Sequence, residues 1–144
     1  MKAINPYLNF TGNAEEVFNF YRSVFGGEFT TIVRYRDTPA AEKVNGAEAD
    51  KLMHIALPVG KDNVLMGTDI LESLGGNVTQ GNNFNISIFA ESREETERLF
   101  NGLSAGGKIL TPLADAFWGD YFGWCRDRYG VSWMVNFPSK SNQR

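Results

Sequence analysis

The chain contains an internal repeat: a sequence pattern near its start recurs 80 positions later. In each copy a segment in which apolar and polar residues alternate is followed by one with apolar residues at helical spacing, and then by a glycine pair. Matching positions in the two copies are Asn5 and Asn85, Glu15 and Glu95, Phe20 and Phe100, and Gly27 and Gly107. A solenoid needs about three or more repeats, so a unit given twice predicts two half-domains that share a core. The groove between two such halves is a natural place for a ligand.

The first copy predicts the order β-α-β-β-β. Alternation over 4–10 predicts a strand, and apolar residues at helical spacing over 14–25 predict a helix that Asn13 caps and the glycine pair Gly26-Gly27 ends. The remaining predicted segments are a strand over 29–35, a polar loop over 36–51, and a hairpin of strands over 52–59 and 63–69.

The second copy predicts the same order after a connection over 70–82. Ser92 and Glu95 form a capping-box pattern that opens a helix. The predicted strands lie over 84–90, 108–113, 121–127 and 131–137, and the polar tail over 139–144 is expected to fray.

The two patterns together predict an α+β fold. Each helix must lie on one face of a mixed, mainly antiparallel sheet to bury its apolar stripe. The opposite sheet faces are then free to curve and form a cup around a cavity. We therefore expect a single domain over 1–144, built from βαβββ modules over 1–70 and 82–138.

Composition excludes several classes of function. The net charge of -3 and the pI near 5.2 argue against a nucleic-acid partner, which requires a basic face. No apolar run approaches membrane-spanning length, so no membrane partner is expected. The single Cys125 cannot form an internal disulfide, which favours a reducing compartment. The start of the chain lacks a signal-peptide pattern. We expect a cytoplasmic protein.

Several segments carry a resemblance to a known family: residues 6–10, 14–16, 20–27, 53–54, 65–66, 69, 118–119 and 127–133. With these residues and this plan the sequence resembles the vicinal-oxygen-chelate superfamily, which includes glyoxalase I, extradiol dioxygenases and bleomycin-resistance proteins. It is most similar to the PhnB-like branch, whose members also carry a 3-demethylubiquinone-9 3-methyltransferase label. The resemblance implies the glyoxalase/bleomycin-resistance/dioxygenase fold and a homodimer, but no particular reaction.

The methyltransferase label conflicts with the predicted elements. Binding of S-adenosylmethionine in a doubly wound domain needs alternating parallel β-α units and a glycine-rich turn after a strand. This chain predicts hairpins instead, and its glycine pairs suit turns and helix ends.

Metal-using members of the superfamily place one His, Glu or Gln ligand on the first and last strand of each half. The matching positions here are Asn5, Met66, Asn85 and Met134. Neutral amides and thioethers hold Zn²⁺, Ni²⁺ or Fe²⁺ poorly. We therefore expect no metal site and no cofactor.

His54 and Asp69 are the candidate catalytic residues. His54 is the only histidine, and strand alternation puts it on the face opposite Met53 and Ile55, where an imidazole can act as acid or base. A half-buried, hydrogen-bonded histidine with no catalytic role explains the pattern equally well. Asp69 ends its strand and can face the groove, although a structural role is the more common one for such a residue.

Ligand binding is predicted for Trp118, Tyr121 and Trp124, which lie in the densest aromatic run of the chain, over 117–124. Aromatic walls supply much of the binding energy in small-molecule sites. Core or interface packing is the alternative use of these rings.

Three functions fit these residues. The first is a metal-independent protein or enzyme of the PhnB-like branch that binds a small organic ligand. The second is a divalent-metal lyase or dioxygenase that uses His54 with carboxylates such as Asp69 or Glu72. The third is an antibiotic-sequestering resistance protein, which needs neither metal nor chemistry.

Overall fold

The structure, a computed structural model, describes residues 1–138 and divides into two compact units. The first covers Met1–Thr79 and the second begins at Gln80. Each unit holds one α-helix and one four-stranded mixed sheet in the order β-α-β-β-β. The predicted α+β fold of two repeated modules is confirmed. The tail over 139–144, predicted to fray, lies outside the described residues.

The first unit has strand order β1-β4-β3-β2. β1 pairs parallel with β4, and the other two pairings are antiparallel. The elements are β1 (Tyr7–Phe10), α1 (Ala14–Phe25), β2 (Thr31–Arg34), β3 (Leu52–Val59) and β4 (Asn63–Asp69). A short 3-10 turn over Tyr35–Asp37 begins at the last residue of the strand predicted over 29–35. A second, Pro39–Lys43, lies inside the predicted loop, and Glu72–Leu74 forms a third.

The second unit has the matching order β5-β8-β7-β6, again with one parallel pair, β5 with β8. Its elements are β5 (Ile86–Phe89), α2 (Arg93–Ser104), β6 (Lys108–Asp115), β7 (Tyr121–Arg126) and β8 (Ser132–Phe137). β6 extends two residues beyond the prediction, and its register with β7 shifts twice. None of the helices within residues 1–138 is long and apolar enough to cross a membrane.

Each helix packs on one face of its own sheet. α1 buries Ala14, Val17, Phe18, Tyr21 and Val24, and the alternate residues Leu8 and Phe10 of β1 are buried beneath it. Gly67 lies directly under Phe18, since a Cβ at this glycine would come within 2.6 Å of the ring. We call the sheet face opposite the helix the open face of each unit.

The two helices repeat at a different spacing from the one that the sequence match gives. Tyr21 and Phe100 are each the eighth residue of a 12-residue helix, and both are buried. The sequence match had paired Phe100 with Phe20, which is only half-buried. The two helices therefore repeat at a spacing of 79 positions, one fewer than the sequence match gives.

The helix starts also differ. In α2 the predicted cap is confirmed, because the Ser92 hydroxyl accepts a hydrogen bond from the Glu95 N–H at 3.0 Å. In α1 the predicted cap is wrong, since the Asn13 side chain makes no capping hydrogen bond. The carboxylate of Asp69, at the end of β4, accepts from the Ala14 N–H at 2.9 Å instead.

Candidate functional site

Strand register identifies the residues on the open face of the first sheet. Tyr7 of β1 pairs with Met66 of β4, and Met66 pairs with Ala56 of β3. Because strand side chains alternate between faces, His54 lies on the same face as Ala56. The structure thus places His54 on the open face, as the sequence alternation predicts, while its catalytic role stays a prediction.

His54 is paired with a tyrosine on this face. The Tyr7 hydroxyl lies 3.0 Å from Nδ1 of His54, and the two ring centroids are 5.6 Å apart. Tyr7 keeps 46% of its surface exposed. Burial of the remainder is the main cause that raises the pKa of its phenol, so the hydroxyl keeps its proton at neutral pH.

Asp69 lies away from this pair, on the helix side of the sheet. It is 1% exposed, and its carboxylate accepts hydrogen bonds from the backbone N–H groups of Gly12, Ala14 and Leu52 at 2.8–2.9 Å. These bonds give the carboxylate a structural role. The structure does not bring Asp69 and His54 together, and the three hydrogen bonds to the Asp69 carboxylate do not support its predicted catalytic role.

The open face of the second sheet is aromatic. Trp124 of β7 pairs with Met134 of β8, and Phe122 lies two residues before Trp124 on the same face. The Trp124 indole N–H donates to the Asn85 side-chain oxygen at 2.8 Å, which fixes the ring. Trp118, in the turn before β7, packs edge-on against Phe122 with centroids 5.6 Å apart and is 42% exposed.

Tyr121 is separated from the two tryptophans. It alternates with Phe122, so it lies on the helix side of the sheet, where the Arg93 guanidinium of α2 sits 3.8 Å above its ring. Its hydroxyl donates to the Glu97 carboxylate at 3.3 Å. The predicted ligand-binding set is therefore split, with Trp118 and Trp124 on the open face and Tyr121 on the other.

Two residues of the open faces escaped the sequence prediction. Phe122 lies in the predicted aromatic run, and the alternation of strand residues groups it with Trp124 and not with Tyr121. Tyr7 was assigned only to a strand. Its contact with His54 depends on the parallel pairing of β1 with β4, which the local pattern does not contain.

The residues at the superfamily's metal positions do not fit a metal. The side-chain oxygen of Asn5 accepts from the Val64 N–H at 3.0 Å, and that of Asn85 accepts from Trp124. Met66 and Met134 complete the set with thioethers, which prefer soft ions. Residues 1–138 contain no group of three or more His, Cys, Asp or Glu side chains that could hold a metal ion.

Known structures share this fold. A glyoxalase/bleomycin resistance protein/dioxygenase family enzyme from Burkholderia phytofirmans PsJN matches with a TM-score of 0.60 and 17% identity, covering 94% of this chain and 98% of that one. At this identity the match concerns the fold, which is that of the glyoxalase/bleomycin-resistance class.

Within this class, the family profile described as 3-demethylubiquinone-9 3-methyltransferase matches residues 2–136, and the chain belongs to this PhnB-like family. The structure of protein PA1353 from Pseudomonas aeruginosa is 36% identical, with a TM-score of 0.82, and the match covers 95% of this chain and 98% of that one. A PhnB protein from Bacillus cereus, described as a putative 3-demethylubiquinone-9 3-methyltransferase, is 30% identical with a TM-score of 0.75, covering 93% and 98%.

Proposed function

We propose that this protein binds a small aromatic organic molecule on the open face of its second sheet, without a metal ion. The observation that carries the proposal is the side-by-side placement of Trp118, Phe122 and Trp124 on a sheet face that the helix of that unit does not cover. Aromatic side chains bury a large area and stack on planar ligands at low entropic cost.

The site is partly ordered before any ligand binds. The bond from the Trp124 indole to Asn85 holds one ring, and the edge-on contact with Phe122 holds Trp118. Rings that are already fixed lose less conformational entropy on binding, which strengthens the complex. Met134, opposite Trp124, adds a polarizable thioether suited to contact with an aromatic ligand.

The proposal covers both a binding protein and an enzyme. Sequestration, as in bleomycin resistance, requires only the aromatic face. The divalent-metal alternative loses support because His54 and Asp69 lie on opposite faces of their sheet and the amide oxygens of Asn5 and Asn85 already accept hydrogen bonds.

Titration calorimetry with 2-naphthoate tests the aromatic face. Trp118→Ala and Trp124→Ala should each weaken binding about 5-fold, the equivalent of ~1 kcal/mol for one lost aromatic contact. Tyr121→Ala is the matched control, because it removes a ring from β7, the strand that carries Trp124, but from its helix side. Equal weakening by all three substitutions, or lower thermal stability with unchanged affinity in the tryptophan variants, would show that these rings serve packing.

Elemental analysis tests the absence of a metal. Protein purified without exposure to chelator should contain far less than one equivalent of zinc, nickel, iron or manganese. Near-stoichiometric metal would contradict the proposal and direct attention to His54 as a ligand.

A further inference from the structure

The proposed function uses the aromatic side chains of the second unit and gives no role to the Tyr7–His54 pair on the open face of the first unit. Tyr7 lies on β1 and His54 on β3, with β4 between them. The phenol therefore reaches across a whole strand to meet Nδ1 of the imidazole at 3.0 Å. A bond that spans a strand fixes both rings relative to the sheet.

The chemistry of the pair favours one direction for this hydrogen bond. A phenol is a good donor and a weak acceptor, whereas the bare nitrogen of a neutral imidazole is a good acceptor. Burial raises the pKa of Tyr7, so its proton is retained. Tyr7 therefore donates to Nδ1. A neutral imidazole that accepts at Nδ1 carries its own proton at Nε2.

The neighbours of His54 on the open face carry no charge. The open-face neighbours from β1, β2 and β4 are Asn9, Val33, Met66 and Thr68, and none of these side chains carries a charge. Tyr7 is the titratable group in contact with the ring. His54 itself is half-buried, and within residues 1–138 its ring makes no hydrogen bond other than the one to Tyr7. The Nε2–H is therefore an oriented donor with no protein acceptor.

We propose that His54, set by Tyr7, donates a hydrogen bond from Nε2 to an acceptor oxygen of a small carbonyl or carboxylate compound. An ordered polar group among apolar neighbours such as Val33, Ala56 and Met66 is the usual composition of a small-molecule site. In this role His54 is a ligand-binding donor rather than a general base, and Tyr7 is a positioning residue. This proposal concerns the first unit alone and does not depend on the aromatic face of the second.

Nitrogen-15 NMR of the full-length protein, labelled on histidine, tests the proposal directly because His54 is the only histidine. At a pH well above the ordinary imidazole pKa of about 6.5, Nε2 should be the protonated nitrogen and Nδ1 a hydrogen-bonded acceptor. Addition of benzoate should shift the Nε2–H signal in a saturable manner. Benzylammonium, which has the same ring but no acceptor oxygen, should leave that signal in place.

Tyr7→Phe and Tyr35→Phe separate positioning from stability. Tyr7→Phe should move the Nδ1 signal towards that of a free acceptor and weaken benzoate binding about 5-fold, the loss expected for one hydrogen bond. Tyr35 donates its hydroxyl to the buried Asp69 carbonyl at 2.7 Å, so Tyr35→Phe should lower stability and leave the imidazole signals unchanged.

Three results would overturn the proposal. One is a proton on Nδ1 in the unaltered protein, another is an Nε2–H signal that benzoate does not move, and the third is an equal response to benzylammonium.

Discussion

Asp69 connects three separate segments of the first unit through one carboxylate. Its two oxygens accept from the loop residue Gly12, the first helical residue Ala14 and the first residue of β3, Leu52. Hydrogen bonds to an ionised acceptor are roughly twice as strong as neutral ones. The side chain thus joins a helix start to two strands, a role that its position in sequence does not indicate.

Asp69→Asn should destabilise the protein by about 2–3 kcal/mol, because one carboxylate oxygen becomes an amide that donates towards backbone donors. Urea unfolding followed by circular dichroism measures this loss. Asp62→Asn is the control, since Asp62 is exposed in the turn between β3 and β4 and the same change there should have little effect. Equal stability of the two variants would contradict the anchoring role.

The buried Cys125 gives a prediction for alkaline pH. Burial, with a smaller contribution from the Asp127 charge, raises the pKa of its thiol from 9.0 to about 11. A raised folded-state pKa stabilises the fold fully below the unfolded value, and this stabilisation is lost as pH rises towards the folded value. Between about pH 9 and 11 the unaltered protein should therefore lose about 1–2 kcal/mol more than Cys125→Ala.

Urea unfolding of both proteins at about pH 8 and about pH 10.5 checks the Cys125 prediction. Tyrosines and lysines titrate in both proteins, so their contributions cancel in the comparison. An identical pH dependence would show that the thiol is not the group responsible.

At the level of elements, the two helices show which sequence signals are local. The capping box of α2 consists of residues three apart, and the structure has the predicted bond between Ser92 and Glu95. The start of α1 carries an equally good local signal at Asn13, but the side chain that accepts a hydrogen bond from this helix start, at the Ala14 N–H, is Asp69, 55 positions away. Helix spans and strand spans were predictable because they depend on periodicity, whereas a cap supplied by a distant strand was not.

Ser92→Ala should therefore lower stability by about 1 kcal/mol, the usual cost of losing a side-chain cap. Asn13→Ala, the alanine substitution at the corresponding position of α1, should lower stability much less, because the Asn13 side chain makes no capping hydrogen bond. Thermal unfolding of the two variants gives the comparison. A larger loss from Asn13→Ala would contradict the assignment of the α1 cap to Asp69.

The candidate site also shows what a local sequence pattern can and cannot predict. Alternation along one strand places His54 correctly on its face. The same alternation, applied to the aromatic run, separates Tyr121 from Trp124, because odd- and even-numbered residues of a strand lie on opposite faces. Contacts between strands are different, since Tyr7 meets His54 only after β1 has paired with β4. Candidate residues can thus be found from sequence, while their partners depend on sheet order.

At the level of the whole molecule, each four-stranded sheet ends in two edge strands, β1 and β2 in the first unit and β5 and β6 in the second. Edge strands are usually paired or covered in native proteins. Together with the resemblance to a superfamily whose members generally dimerise, this supports a homodimer, which stays a prediction.

Light scattering at micromolar concentration should give twice the 16.1 kDa mass of the chain. Dilution should convert the dimer to monomer only at much lower concentration, as expected for a specific interface. A mass near 16.1 kDa at micromolar concentration would contradict a dimer.

The distribution of tryptophan makes the second unit separately visible. Trp118, Trp124 and Trp133 all belong to it, and the first unit contains none. Intrinsic fluorescence excited at the indole band therefore records the second unit, while far-ultraviolet dichroism records both. If the repeated halves melt apart, the two optical signals will have different midpoints; if they melt as one body, the curves will superimpose. The duplicated chain thus carries its own internal test of cooperativity.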